Sequence, residues 1–176
     1  GITPDDIKTW DDFRNRIPLL SKKDLLKDQE ENPPYGSRHC VPKEEMRMIH
    51  ITSGTSGLGQ EIYFLTQKDV LYMARCAATA LTAAGVEKGD LAAHLWPLAT
   101  MTGGWCLLEG LKFIGANPMP LFIFDTKSKI EHLLKYNPDF LCTTPAYLNR
   151  ITVLCEDMGI EPNRAFTNLK SIMLST

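Results

Sequence analysis

No charge of one sign dominates this chain: 19 Lys and Arg stand against 21 Asp and Glu, interspersed, for a net charge of −2. The clustered basic surface that nucleic-acid binding requires is missing, so no nucleic-acid partner is expected. Lys22-Lys23 and the nearby pair Lys127 and Lys129 are short runs that read as solvated helix faces. No apolar stretch approaches the roughly 20 residues that cross a bilayer, so no membrane partner is expected either. A basic segment followed by an apolar one does not open the chain, and a secretory leader is not expected. Cysteine is sparse and unpaired in spacing. Five residues, Cys40, Cys76, Cys106, Cys142 and Cys155, contain no C-x-x-C, which suits reduced thiols and a cytoplasmic protein. Cys76, Cys106 and Cys142 have apolar neighbours and read as small core residues. His39, Cys40 and His50 lack the paired spacing of zinc sites, and no metal-ligating set is expected. The Gly-x-Ser-x-Gly elbow of an α/β-hydrolase is absent as well.

What is present is enough for a core, since 176 residues at 44% hydrophobic content fit one compact α/β body. The most informative segment is His50 to Thr66. A β-rich run leads into Thr52-Ser53-Gly54-Thr55-Ser56-Gly57-Leu58-Gly59-Gln60, and a second β-rich run follows. Three glycines let such a loop bend and admit a ligand close to its amides. Successive N–H groups in a turn make a concavity for anions, of which phosphate is the commonest. A Walker A loop is excluded: no lysine follows the glycines, and Glu61 to Leu65 favours strand over helix. On chemistry alone, an anion nest and a plain hairpin turn remain equal readings.

The remainder is punctuated clearly. Thr3-Pro4-Asp5-Asp6, Thr9-x-x-Asp12 and Ser21-x-x-Asp24 are helix starts, interrupted by Pro18 and Pro33-Pro34. Thr66-x-x-Asp69 opens a helix with Val70, Met73, Ala74, Ala77, Ala78 and Leu81 on one face and Gly85 just past its end. Strands are expected near 91–96, 117–121, 139–143 and 170–174, with helices at 102–114, 126–136 and 144–158 between them. Such alternation specifies right-handed crossovers and a parallel sheet covered on both faces. Ligands of these sheets bind beyond the carboxyl ends of the strands, where Trp96, Leu121 and Thr143 fall. The expected division is a helical segment over 1–46 and a parallel α/β subdomain with the glycine-rich loop over 47–176.

Ser53-Gly54-Thr55-Ser56-Gly57 resembles the phosphate loop of the adenylate-forming (AMP-forming) ligase superfamily, usually Ser-Gly-Thr-Thr-Gly followed by Lys-Pro. Phe13 to Leu25 upstream is similar to the phenylacetate-CoA ligase-like branch. So are Ala84 to Asp90, Thr102-Gly103-Gly104, Gly115 to Pro120 and Cys142 to Tyr147 downstream, all in that family's order. The resemblance covers nearly the whole chain. One departure stands out: Leu58-Gly59 replaces Lys-Pro, removing a cation and a stiffening proline.

This resemblance implies part of the N-terminal large domain of an ATP-dependent acyl- or aryl-CoA ligase, using ATP, Mg2+ and coenzyme A on a small carboxylic acid of the aryl class. It implies phosphate binding by Ser53, Gly54, Thr55, Ser56 and Gly57. It also points to Trp96, Met101, Thr102, Gly103 and Gly104 as acyl-pocket candidates, although Trp96 and Met101 read equally well as plain core. Because the family often has Tyr-Gly where Trp96-Pro97 stand, an aryl or medium acyl acid other than phenylacetate is expected. The family's later adenine, ribose and catalytic-lysine segments have no counterpart in these residues, so no catalytic residue is expected here and the chain reads as a portion of a longer ligase. The other reading is a non-catalytic nucleotide- or anion-binding module that keeps only the loop. An apolar sheet edge left open would favour a homodimer.

Overall fold

The computed structural model describes residues 2–175. The chain divides into two compact units, Gly1–Pro42 with Ile51–Tyr63, and Lys43–His50 with Phe64–Thr176.

In the first unit, a short 3-10 turn precedes α1 (Trp10–Arg16) and α2 (Lys22–Glu31). Both helices start where a hydroxyl and an aspartate three residues on exchange hydrogen bonds. Asp12 N–H donates to Thr9 Oγ1 at 3.1 Å, and Thr9 N–H donates back to Asp12 Oδ2 at 2.9 Å. Ser21 and Asp24 repeat the exchange at 3.4 and 2.8 Å. Such boxes satisfy amides that the helix cannot bond internally. Hydrogen bonds from Thr9 and Ser21 hold the Asp12 and Asp24 carboxyls below the usual carboxylate range.

The second unit holds the main sheet. β1 (Met46–Ile51) and β2 (Ile62–Thr66) pair as a two-stranded sheet. The main sheet is parallel, in the order β4-β3-β5-β6, from β3 (Leu91–His94), β4 (Asn117–Pro120), β5 (Phe140–Thr143) and β6 (Ser171–Leu174). Crossovers run through α4 (Thr102–Ile114), α5 (Thr126–Tyr136), and then α6 (Pro145–Asp157) with the short α7 (Pro162–Ala165). The expected alternation is therefore present. β4 is an outer strand: Asn117 and Leu121 N–H groups donate to the Asp90 and His94 carbonyls, with Pro118 and Pro120 alternating between them.

Alternate strand residues serve opposite faces, as the pleat requires. Ala92, Phe140 and Cys142 pack with Leu81, Val86, Leu111 and Ala116. Ala93, Leu95 and Leu141 pack with Ile130, Leu133, Ile151 and Cys155 on the other side. Each large side chain so buried contributes roughly 1.5–3 kcal/mol. Helix α3 (Gln67–Ala83) ends in a Schellman pair, Val86 N–H to Leu81 C=O at 3.0 Å and Gly85 N–H to Thr82 C=O at 3.0 Å. Gly85 takes φ +94°, a conformation costly for residues with a Cβ. Where α3 meets α4, Gly110 has no room for a methyl: a Cβ there would lie 2.6 Å from Ala77 Cβ.

Two expectations fail. Cys76 is exposed and Cys106 only half-buried, because the buried stripe of α3 runs through Val70, Ala74, Ala77, Ala78 and Leu81 and leaves Cys76 outside it. Cys142 is buried as expected, and burial pushes its thiol up to about 12; Cys155 is buried too. The second failure is Lys129, which is only 6% exposed instead of lying on a solvated face. It belongs to the inward stripe Thr126, Lys129, Ile130 and Leu133 of α5.

Candidate functional site

The glycine-rich loop is built on a two-bond base. Thr52 N–H donates to the Glu61 carbonyl at 3.0 Å, and Thr52 Oγ1 accepts the Glu61 N–H at 2.9 Å. Helix α2 buttresses this base. The Gln29 amide accepts the Ile62 N–H at 3.0 Å and donates to the Gln60 carbonyl at 3.2 Å. Leu26 lies against Gly59, where a Cβ would come within 3.3 Å of its Cδ1. Glu61 is buried, receives the Tyr63 hydroxyl and pairs with Lys22 at 3.5 Å. The Tyr63 hydrogen bond, opposed by burial, holds its carboxyl below the usual range.

Above the base, the Gly57 N–H donates to the Gly54 carbonyl at 3.0 Å, closing a turn over Thr55 and Ser56. Gly54 and Gly57 adopt φ +70° and +73°. Ser53 Oγ and Thr55 Oγ1 lie 3.4 Å apart. Among the described residues, no hydrogen bond occupies the amides of Ser53, Gly54, Thr55 or Ser56. Ser53, Thr55, Ser56 and Gly57 are exposed. This is a curved main chain with spare donors and no basic side chain of its own.

In the second unit, the segment after β3 is held by three ring N–H groups. His50 Nδ1 lies 3.2 Å from the Thr100 carbonyl, His94 Nε2 3.0 Å from the Gly104 carbonyl, and Trp105 Nε1 donates to the Ala99 carbonyl at 2.7 Å. A carbonyl only accepts, so each histidine carries its proton on the nitrogen facing it. Both histidines are buried, and their other ring nitrogens have no partner among the described residues. Burial holds the His94 pKa below its ordinary value, against the opposing hydrogen bond to Gly104.

Of the five acyl candidates, Trp96 and Gly103 meet: a Cβ on Gly103 would lie 3.0 Å from Trp96 Cζ3. Gly104 is buried against Pro97, whereas Met101 and Thr102 are exposed. A cavity of about 280 Å³ lies at the carboxyl ends of β3 and β5, lined by Leu95, Trp96, Pro97, Phe122, Lys129, Thr143, Thr144 and Tyr147. Trp96 alone of the five candidates lines it. Thr143, Thr144 and Tyr147 were visible in sequence as a strand end and helix cap. Lys129 was detectable only through its place in the α5 stripe. A larger groove of about 440 Å³ runs beside β6 and α6, but its lining is chiefly Leu133, Leu141, Ile151, Phe166 and Ile172. It has no convergent charged group, so the smaller cavity is the better ligand site. No cluster of three metal-ligating side chains occurs among the described residues.

No family model matches the chain. It is 30% identical over 170 residues to phenylacetate-coenzyme A ligase of Aromatoleum evansii, covering 97% of this chain and 37% of that protein. Against the Escherichia coli K12 phenylacetate-coenzyme A ligase it is 31% identical over 160 residues, covering 90% and 35%. The chain thus spans a little over a third of the curated relatives it matches. An open structure of 2-hydroxyisobutyryl-CoA ligase, in complex with 2-HIB-AMP and CoA, superposes on all of this chain and 40% of its own with a TM-score of 0.88 at 26% identity. The parallel sheet with its flanking helices is that of the N-terminal domain of AMP-forming ligases. Within that class its curated relatives are phenylacetate-coenzyme A ligases, of which it matches the portion given above.

Proposed function

We propose that the protein bearing this chain is an ATP-dependent, AMP-forming acid–CoA ligase, and that the chain supplies its phosphate loop and part of its acyl pocket. In the first step an oxygen of the substrate carboxylate bonds to the α-phosphorus of ATP. The bond from that phosphorus to the bridging oxygen breaks, and pyrophosphate leaves. In the second step the coenzyme A sulfur, having lost its proton, bonds to the acyl carbon and AMP departs with the electrons of the C–O bond.

The chain's own contribution is positioning and charge stabilisation. Ser53, Gly54, Thr55, Ser56 and Gly57 are proposed to cradle the β- and γ-phosphates, with the Thr55 and Ser56 hydroxyls as side-chain donors. Trp96, Met101, Thr102, Gly103 and Gly104 belong to the segment proposed to meet the acyl group. Magnesium would accompany the triphosphate and is assigned no ligand on this chain. The proposed acid is small, aryl or medium acyl, the proposed location cytoplasmic, and self-pairing along β6 the proposed route to a dimer. No helix among the described residues is long and apolar enough to cross a membrane.

The observation that carries this reading is the turn at Gly54–Gly57 with its unoccupied neighbouring amides. Pyrophosphate exchange by the full-length protein over a panel of carboxylic acids tests it. Acid-dependent label exchange into ATP is expected; no exchange with any acid removes the ligase reading. Titration with ATP, comparing wild type with Ser56→Ala and Thr55→Ala, tests the loop separately, and unchanged binding in both variants removes its assignment.

A further inference from the structure

Lys129 lines the cavity beyond β3 and β5 and is only 6% exposed. Its Nζ donates to the Tyr147 hydroxyl at 3.1 Å and sits 4.8 Å from the centroid of that ring. The same hydroxyl is 3.1 Å from Thr126 Oγ1, so Tyr147 is held in place from two sides. No carboxylate lies within ion-pair distance of Lys129 among the described residues. A lysine has three donors, and one is occupied here. Burying a cation without an anion is costly, and a neutral hydroxyl with a ring face offsets only part of that cost. Trp96, on the same cavity, also has a buried indole N–H without a partner among the described residues. Leu95, Pro97 and Phe122 make the rest of the wall apolar.

We infer that Lys129 is a specificity-determining residue that selects carboxylic acids carrying a second carboxylate, distal to the one that is activated. The inference rests on the ligase reading and names the substrate class for that pocket. A cavity of about 280 Å³ lies at the small end of ligand pockets, which calls for a short or single-ring diacid. The apolar wall holds the spacer, and the ammonium holds the distal anion in place of the counter-ion missing among the described residues. A plain aryl acid would leave the charge unpaired beneath it, which is the strongest way such a pocket discriminates.

The test is pyrophosphate exchange by the full-length protein with 4-carboxyphenylacetate and phenylacetate as a matched pair. Wild type is expected to favour the diacid in kcat/KM by about tenfold or more, the worth of a charge-assisted contact. In Lys129→Met, which keeps the apolar stem, KM for the diacid should rise about tenfold and KM for phenylacetate should fall, so that the wild-type preference collapses. Lys129→Arg should retain the preference in part. Exchange with both acids but no preference in wild type, or a preference that survives Lys129→Met, overturns the inference and leaves the ligase reading intact. No exchange with either acid or with any other acid overturns both. The wild-type comparison needs no variant, so a poorly folding Lys129→Met does not block the test.

Discussion

Thr52 and Glu61 are joined by two hydrogen bonds, one through backbone at 3.0 Å and one through the threonine hydroxyl at 2.9 Å, and together they close the base of the glycine-rich loop. Thr52→Val keeps the shape and the backbone bond but strands the Glu61 N–H. The loss should be about 1 kcal/mol of stability in urea unfolding. ATP affinity should fall severalfold, because the two ends of the loop are no longer held in register. Unchanged ATP affinity would show that the base does not set the loop's shape.

Gly54 and Gly57 have similar positive φ but different surroundings. A Cβ at Gly54 would lie 2.9 Å from Gln60 Cγ and 3.3 Å from the Gly59 carbonyl oxygen, whereas one at Gly57 meets nothing within 4 Å. Gly57→Ala should therefore cost only the backbone strain, about 1 kcal/mol. Gly54→Ala should cost more and distort the turn, lowering pyrophosphate or ATP affinity further than its partner substitution does. Thermal melts and titration of the two variants side by side check the ranking.

The junction of α3 and α4 has no slack at Gly110. A methyl there would lie 2.6 Å from Ala77 Cβ, 3.0 Å from Leu81 Cδ1 and 3.1 Å from the Ala78 nitrogen. Gly110→Ala should destabilise by about 1–3 kcal/mol despite alanine's better helix propensity. That corresponds to a melting temperature lower by roughly 2–4 °C per kcal/mol for a chain of this size. A variant as stable as wild type would mean that the helices part easily.

His94 makes stability depend on pH. Its folded pKa lies below the ordinary histidine value of 6.5, first because burial disfavours the imidazolium. The unfolded chain therefore binds the proton more readily, and stability rises with pH through this window. The contribution is complete above about pH 6.5 and declines as the pH falls towards the folded pKa. Melting temperatures from pH 8 to pH 5 should fall more steeply in wild type than in His94→Gln, which keeps a donor for the Gly104 carbonyl. Parallel profiles would assign the slope to other groups.

Most of the fold was readable because its signals are local. Thr9, Ser21 and Thr66, each with an aspartate three residues on, mark helix starts. Gly85 marks an end, and alternating apolar runs mark the strands. The failures came where a helix face decided the outcome. Cys76 has apolar neighbours in sequence yet lies off the α3 stripe, and Lys129 has a charged side chain yet lies on the α5 stripe. The cavity was only partly legible for a similar reason. Phe122 and Lys129 come from the connection between β4 and β5 and Tyr147 from the one after β5, and they are brought together only by the parallel crossovers. The shape of the loop was foreseeable from its glycines, but the clamp by Gln29, some thirty residues upstream, carries no local signature.

In β4, the positions whose main chain turns away from β3 are Pro118 and Pro120. That rim of the sheet consequently presents no N–H to a newcomer, and a neighbouring ladder cannot be completed there. Ser171–Leu174 on the opposite rim has no such protection. Recruitment is therefore one-handed: whatever segment lengthens the sheet, from the same polypeptide or a second copy, must zip alongside β6.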